Sequence, residues 1–106
     1  MIEKIKVLAK EIKDSIVAFR RQLHRYPELS FVEYETSHLI QNLLDEWKIE
    51  NESINVTGIV ANIKGKNPEK RTIALRADID ALPIQETNNC DYKSLRQNVM
   101  HACGHD

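Results

Sequence analysis

The sequence contains little cysteine, glycine or proline, and each shortage excludes a class of protein. Its two cysteines cannot build the disulfide framework of a small secreted domain, and in a reducing compartment they are free thiols or metal ligands. Three glycines and three prolines leave no flexible linker. The 106 residues are therefore expected to form one domain at most.

Long apolar runs and an excess of one charge are also missing. No apolar run approaches the roughly 18–20 residues that cross a bilayer, and the N-terminus has no secretory apolar region. Fifteen basic and sixteen acidic side chains give a net charge of -1, which argues against a nucleic-acid-binding protein. With 42% hydrophobic residues, the chain can build a core. Because it shows neither a membrane-spanning nor a secretory segment, we expect it to be cytoplasmic.

Two helices are predicted in the first half of the chain. Apolar residues recur at steps of three and four, which predicts an amphipathic helix over Glu3–Arg25. Pro27 ends this helix, because the residue before a proline avoids the helical region. A second helix is predicted from Ser30 to Trp47, since Ser30 and Glu33 have the spacing of a capping box.

A β-hairpin is predicted in the second half. Ile59–Ile63 is rich in β-branched residues, and Thr72–Ala77 is apolar on both faces, as expected of a buried strand. The polar turn-forming stretch Gly65–Lys70 separates them. The hairpin model places Ile73 and Leu75 in the core. The predicted order is helix, helix, strand, strand, followed by polar loops.

Potential metal ligands cluster near the last residue. Cys103 and His105 lie two residues apart, and a thiolate with an imidazole suits zinc or a similar transition metal. His101 and Asp106 flank them and would orient the ligands. The residues alone are equally consistent with a loop that holds a free cysteine and chance histidines. Two ligands do not complete a catalytic zinc site, which takes at least three.

Other polar and aromatic residues have a functional and a structural interpretation. Asp78 and Asp80 follow the predicted buried strand, where α/β proteins place ligands, although two acids there can simply solvate a loop. His24 lies in the basic end of the first helix, where positive charge is favourable. Trp47 is expected in the core, and Cys90 in a polar loop without a metal role.

Three blocks of the sequence resemble one enzyme family. Arg20–Ser30 is similar to the N-terminal signature of N-acyl-amino-acid amidohydrolases, a group that includes hippurate hydrolases, indole-acetyl-amino-acid hydrolases and aminoacylase-like carboxypeptidases. Leu75–Ile84 resembles the second block of the family, and Met100–Asp106 resembles the third. The blocks occur in the family's order and span nearly the whole chain.

The resemblance implies a metal-dependent hydrolase with two divalent ions, which are zinc, manganese or cobalt in different members. The metal ligands of the third block match Cys103 and His105. An aspartate that supports the metal site matches Asp80. Asp78 stands where the wider superfamily has a histidine, and no ligand role is carried onto it. The implied substrate is an N-acyl amino acid or a dipeptide, hydrolysed at its amide bond.

The resemblance also implies the fold, an α/β/α metallopeptidase catalytic domain with a mixed sheet. Such enzymes have several hundred residues, so residues 1–106 are expected to be an N-terminal fragment of that domain. The glutamate base, the remaining ligands and an inserted domain, which mediates dimerisation in many members, would follow. The full-length protein would be the enzyme, and the fragment alone is expected to be inactive and poorly stable or oligomeric.

Two further interpretations stay open. The chain could be a non-catalytic remnant that persists as a binding module, because the base and several ligands are missing from it. It could also associate with a separately encoded C-terminal half, although no residue supports this directly.

Overall fold

The computed structural model describes residues 1–105. It contains helix α1 (Ile2–Arg25), helix α2 (Tyr34–Glu46), strand β1 (Glu50–Ile54) and strand β2 (Gly58–Asn62). This confirms the predicted order of helix, helix, strand, strand. Among the described residues after β2, isolated β-bridges, turns and bends connect the chain. Neither helix in this part of the chain is both long and apolar enough to cross a membrane.

Helix α1 agrees with the prediction to within one residue at its start and matches it at its end. Its apolar side chains line one face because they recur with the helical period. The helix ends where the Tyr26 amide donates to the carbonyls of Gln22 and Leu23. Pro27 follows directly and cannot continue the ladder. The apolar period and Pro27 are local features of the sequence, and they were therefore sufficient to predict this helix.

Helix α2 begins four residues later than predicted, and the capping box is wrong. Glu33 occupies the N-cap position and makes no side-chain capping bond. The Ser30 hydroxyl donates instead to Asp80. The Glu28 carboxylate accepts the amides of Glu35 and Thr36, at 3.2 and 2.6 Å. A residue six positions before the helix thus satisfies its first-turn amides.

The hairpin differs from the prediction in its partner strand. β2 confirms most of the predicted strand Ile59–Ile63, but it pairs antiparallel with β1, from Glu50 opposite Asn62 to Ile54 opposite Gly58. A three-residue loop joins them, in which Asn55 and Val56 have φ angles of 48° and 75°. Such a short connection lets neighbouring strands pair at little entropic cost. Pairing of β2 with β1 is therefore favoured over pairing with residues 72–77 across the longer polar loop.

The predicted buried strand Thr72–Ala77 is wrong in this structure. These residues belong to neither a helix nor a strand. Ile73 is 76% exposed and Leu75 is 95% exposed. A strand needs a neighbour that satisfies its backbone groups. Within residues 1–105 the two strands pair with one another, and this segment is left without such a neighbour.

The most buried part of the molecule is polar. An isolated bridge from Leu29 to Ala81 brings residues 24–37 against residues 80–101, and a second bridge, from Leu82 to Met100, lies within the latter segment. We call this region the polar junction. Ala81 is the one hydrophobic side chain assigned to the core in the described part. The buried polar side chains are His24, Glu28, Glu33, Thr36, Ser37, Thr57 and Glu86.

Candidate metal centre and polar junction

The structure brings the two predicted metal ligands together. The Cys103 sulfur lies 3.3 Å from His105 Nδ1, and both side chains are exposed. Metal–sulfur and metal–nitrogen bonds of about 2.3 and 2.0 Å in a tetrahedron place two such atoms roughly 3.5 Å apart. The donor atoms and their separation therefore fit one edge of a zinc-like coordination sphere. Among residues 1–105, no group of three or more His, Cys, Asp and Glu side chains converges as a metal site.

The two aspartates lie in different surroundings. Asp80 is half-buried and accepts a hydrogen bond from the Ser30 hydroxyl. Asp78 is exposed and forms an ion pair with Arg76 at 2.8 Å. Asp78, rather than Asp80, lines the same cavity as His105. The supporting role of Asp80 stays a prediction, and Asp106 lies outside the described residues.

A cavity of about 320 Å³ opens beside the ligand pair. The C-terminal half of α1 contributes both apolar and polar side chains to the cavity lining, and most of the other lining side chains are polar. His101 is half-buried, and its ring centroid lies 6.2 Å from that of His24. The orienting role predicted for His101 stays a prediction. The cavity is lined by Ile16, Phe19, Arg20, Leu23, His24, Thr36, Asp78, Ile79, His101 and His105.

A buried His24–Glu86 pair lies at the centre of the polar junction, and the sequence analysis missed it. His24 Nε2 lies 2.9 Å from Glu86 Oε1, with side-chain exposures of 8% and 0%. The Ser94 amide donates to the other carboxylate oxygen at 2.6 Å, and the Asn88 side chain donates to Oε1 at 3.2 Å. His24 thus belongs to a buried network rather than to a solvated helix end.

This network keeps the Glu86 carboxyl group charged. Burial raises the pKa of Glu86, since it disfavours the charged form. The hydrogen bonds from Ser94, His24 and Asn88, together with the charge of His24, outweigh burial and lower the pKa to about 2. Glu86 is therefore a carboxylate at neutral pH and accepts a hydrogen bond from the N–H of His24 Nε2.

Glu28 is the second buried carboxylate of the junction. The amide and the hydroxyl of Thr36 both lie 2.6 Å from its Oε1. Burial raises the pKa of Glu28, but the bonds from Thr36 and Glu35 and the charge of Arg96 produce a net lowering. The positive end of a helix dipole also favours a carboxylate here. Glu28 therefore fixes the start of α2 against the loop that follows α1.

Tyr92 covers the outer side of the His24 ring. The two rings meet edge to face with centroids 5.7 Å apart. The guanidinium groups of Arg20 and Arg21 lie 5.6 and 4.8 Å from the centre of the Tyr92 ring, which is the distance of cation–π contacts. The polar loop 85–98 is thus folded onto the end of α1.

Comparison with known proteins confirms the resemblance to the amidohydrolase family. The model of peptidase family M20/M25/M40 matches residues 74–106. Over its full length the chain is 48% identical to thermostable carboxypeptidase 2 of Saccharolobus solfataricus, of which it covers 27%. It is 44% identical, over 98% of its length, to an N-acyl-L-amino acid amidohydrolase of Geobacillus stearothermophilus, of which it covers 28%.

A solved structure supports the fold. The chain superposes on the YXEP protein of Bacillus subtilis, described as a dinuclear metal-binding peptidase of the M20 family, with a TM-score of 0.83 and 46% identity. The match covers 91% of this chain and 27% of that protein. The chain thus spans about a quarter of the length of the relatives that it matches.

Proposed function

We propose that this chain, which is homologous to peptidase family M20/M25/M40, is part of a metal-dependent hydrolase that cleaves the amide bond of N-acyl amino acids. The observation that carries the proposal is the 3.3 Å approach of Cys103 and His105, at positions where the family resemblance implies ligands. The 44% identity to an N-acyl-L-amino acid amidohydrolase supports this substrate class. The similar identity to carboxypeptidases extends it to dipeptides.

Cys103 and His105 would supply one sulfur and one nitrogen ligand to a centre of two divalent ions, which are zinc, manganese or cobalt in the resembling enzymes. When bound, such ions supply Lewis-acid chemistry that polarises a carbonyl and activates water. Cys103 must lose its proton to bind, because the thiolate is the ligand. Asp80 would orient this site from the neighbouring loop, where Ser30 holds one of its carboxylate oxygens.

The chain would act within a longer protein. It covers about a quarter of its relatives, so we place the general base and the remaining ligands in the part of those enzymes that it does not match. Residues 1–106 alone would then be inactive. We further propose a homodimer in the cytoplasm as the working form, with a small N-acyl amino acid or a dipeptide as its substrate.

A non-catalytic binding module is the second candidate. The observation in its favour is that no third metal ligand converges with Cys103 and His105 within residues 1–105. Such a module would bind metal weakly at most and would turn over no acyl-amino acid. The assay of a longer protein that contains this chain separates the two candidates.

The test measures hydrolysis of N-acetyl and N-benzoyl amino acids and of dipeptides by that longer protein, with and without a chelator. We expect activity that the chelator abolishes. Turnover that a chelator leaves unchanged, or none on any of these substrates, would contradict the proposed function.

A pair of cysteine variants tests the site itself. Cys103→Ala should lower both bound metal and activity by at least about tenfold, since losing a ligand or its support costs that much or more. Cys90→Ala is the matched control, because Cys90 is half-buried in loop 85–98 and should keep both. Metal analysis that finds the metal lost from the Cys90 variant and kept by the Cys103 variant would show that the site is wrongly assigned.

A further inference from the structure

We propose that a buried chain of hydrogen bonds, running from His24 through Glu86 to Ser94, is a positioning device that holds the segment bearing Cys103 and His105 in place. We call this chain of contacts the latch, and residues 99–105 the ligand segment. The inference rests on the proposed function, since it takes those two side chains as metal ligands.

The first link joins the latch to a rigid element. His24 lies in the last turn of α1 and is 6% exposed. Its Nε2 donates to Glu86 Oε1 over 2.9 Å. A helix of 24 residues keeps its side chains in fixed directions, so Glu86 is anchored to α1 although 62 residues separate the two partners.

The second link uses the other carboxylate oxygen. Glu86 Oε2 accepts the Ser94 amide at 2.6 Å. Only a carboxylate offers two acceptor oxygens, one toward the helix and one toward the loop. A glutamine at this position would turn an amide NH₂ toward one of the two donors and leave it without an acceptor.

The third link reaches the ligand segment. The Ser94 hydroxyl lies 2.7 Å from the Val99 carbonyl oxygen and 3.0 Å from that of Arg96. The next residue, Met100, exchanges two backbone hydrogen bonds with Leu82, at 2.9 and 3.1 Å. Hydrogen bonds from Ser94 and Leu82 therefore fix the backbone three residues before Cys103. The exposed ligand pair follows directly on this fixed part of the chain.

The latch positions the ligands and does not itself coordinate metal. The His24 ring lines the same cavity as His105, but within residues 1–105 no three ligand side chains converge. His24 Nδ1 is buried without a hydrogen-bond partner in this part of the chain. The His24 ring, which is held by one nitrogen and packed against Tyr92, provides a rigid surface beside the ligand segment.

The test compares variants of the 106-residue chain in a Cys90→Ala background, which leaves Cys103 as the only thiol. Two readouts are used: hydrogen exchange of the Met100 amide, and the affinity for Cd²⁺ measured by thiolate-to-metal absorbance. His24→Leu removes the donor at similar volume, whereas His24→Gln places an N–H donor near the position of Nε2. Ser94→Ala keeps the hydrogen bond from its own amide to Glu86 and removes the third link, together with the acceptor of the Arg96 amide at 3.1 Å.

We expect His24→Leu and Ser94→Ala to speed Met100 exchange and to weaken Cd²⁺ binding by about tenfold, the usual worth of a net buried hydrogen bond. His24→Gln should keep both values close to those of the parent. Thr57→Val is the matched control, because it breaks another buried hydrogen bond, to Glu33 at 2.8 Å, outside the latch.

Three results separate the alternatives. Unchanged exchange and affinity in both His24→Leu and Ser94→Ala would overturn the latch. Equal acceleration in Thr57→Val would also overturn it, since the segment would then open only when the whole fold opens. If the exchange results hold but the parent binds no Cd²⁺, the latch stands only as a device that orders residues 99–105 and its role in positioning metal ligands is overturned, whereas the proposed function is decided separately by the Cys103→Ala variant of the longer protein.

Discussion

The polar junction buries polar side chains, whereas the outer face of α1 exposes apolar ones. At the junction, Glu86 and His24 are 2% and 6% exposed. On α1, the apolar side chains of Ile5, Leu8 and Ile12 are 50–59% exposed. Apolar burial is normally the dominant stabilising term of a fold. In this chain, directional hydrogen bonds determine the most buried contacts, and much apolar surface stays uncovered.

This difference indicates which surfaces of the chain are available to bind another protein segment. An exposed apolar stripe of this length marks an interaction surface, and Ile73 and Leu75 add a second one. The relatives are about four times as long as this chain. We therefore expect the apolar surfaces to be covered in the longer proteins, and the junction to be complete without them.

Removal of the central carboxylate should have the largest effect. Glu86→Ala leaves His24, Asn88 and the Ser94 amide without their acceptor in a buried site. We expect the free energy of unfolding to fall by about 3 kcal/mol, as is typical when one partner of a buried charged network is removed. Urea denaturation followed by circular dichroism measures it.

The control for this prediction is Glu69→Ala, in an exposed loop, where about 0.5 kcal/mol or less is expected. A Glu86 variant as stable as the Glu69 variant would show that the junction is not the stabilising region, and the comparison above would fail.

Acid should weaken the same region. The pKa of Glu86 falls from 4.5 to about 2 on folding, so the folded state holds the charged form more tightly than the unfolded chain does. This stability is complete above about pH 5 and is lost as pH falls through 4.5 toward 2, a total of about 2–3 kcal/mol. Unfolding titrations between pH 7 and 2 measure it, and the slope should be smaller in Glu86→Gln. Identical profiles for the two proteins would assign the acid sensitivity to other carboxylates.

A smaller loss is expected at the start of α2. Thr36→Val removes the hydroxyl that donates to Glu28 at 2.6 Å and leaves the volume unchanged. The free energy of unfolding should fall by about 1–2 kcal/mol, the worth of a hydrogen bond to a charged group. Thr72→Val in the exposed segment is the matched control. Equal effects at the two threonines would mean that burial does not distinguish them.

The smallest effect on stability is expected on the outer face of α1. Leu8 is 50% exposed, so Leu8→Lys should change the free energy of unfolding by no more than about 0.5 kcal/mol. It should instead reduce self-association, because it places a charge in the apolar stripe. Sedimentation velocity at several concentrations measures this. A parent chain that is monomeric throughout and unfolds in a sharp cooperative transition would contradict the prediction of a poorly stable or oligomeric fragment.

The sequence was informative where the determining contacts are local. The period of apolar residues gave α1, because a helix bonds each residue to one four positions away. The strand at 58–62 was found from its β-branched residues. Its partner β1 was largely missed, since Glu50, Asn51 and Glu52 have a polar pattern that hides a strand. Proximity along the chain, rather than hydrophobicity, selected the pairing.

The site divides in the same way. Cys103 and His105 were found because their spacing and the family resemblance are visible in seven consecutive residues. The His24–Glu86 pair was missed, since its partners are 62 positions apart and each stands in an ordinary polar context. The one available signal was that His24 and Glu28 both fall in the first family block, although the end of α1, in which His24 lies, explains a basic residue equally well.

The long separation between His24 and Glu86 also has a consequence for the time course of folding. Helix α1 and the β1–β2 hairpin depend on neighbouring residues and can form within microseconds. The contact between His24 and Glu86 closes a loop of 62 residues. This loop loses chain entropy before the hydrogen bond can form and offset the loss. The residues that carry Cys103 and His105 should therefore become ordered last, so that a metal ion binds a nearly finished fold rather than nucleating it.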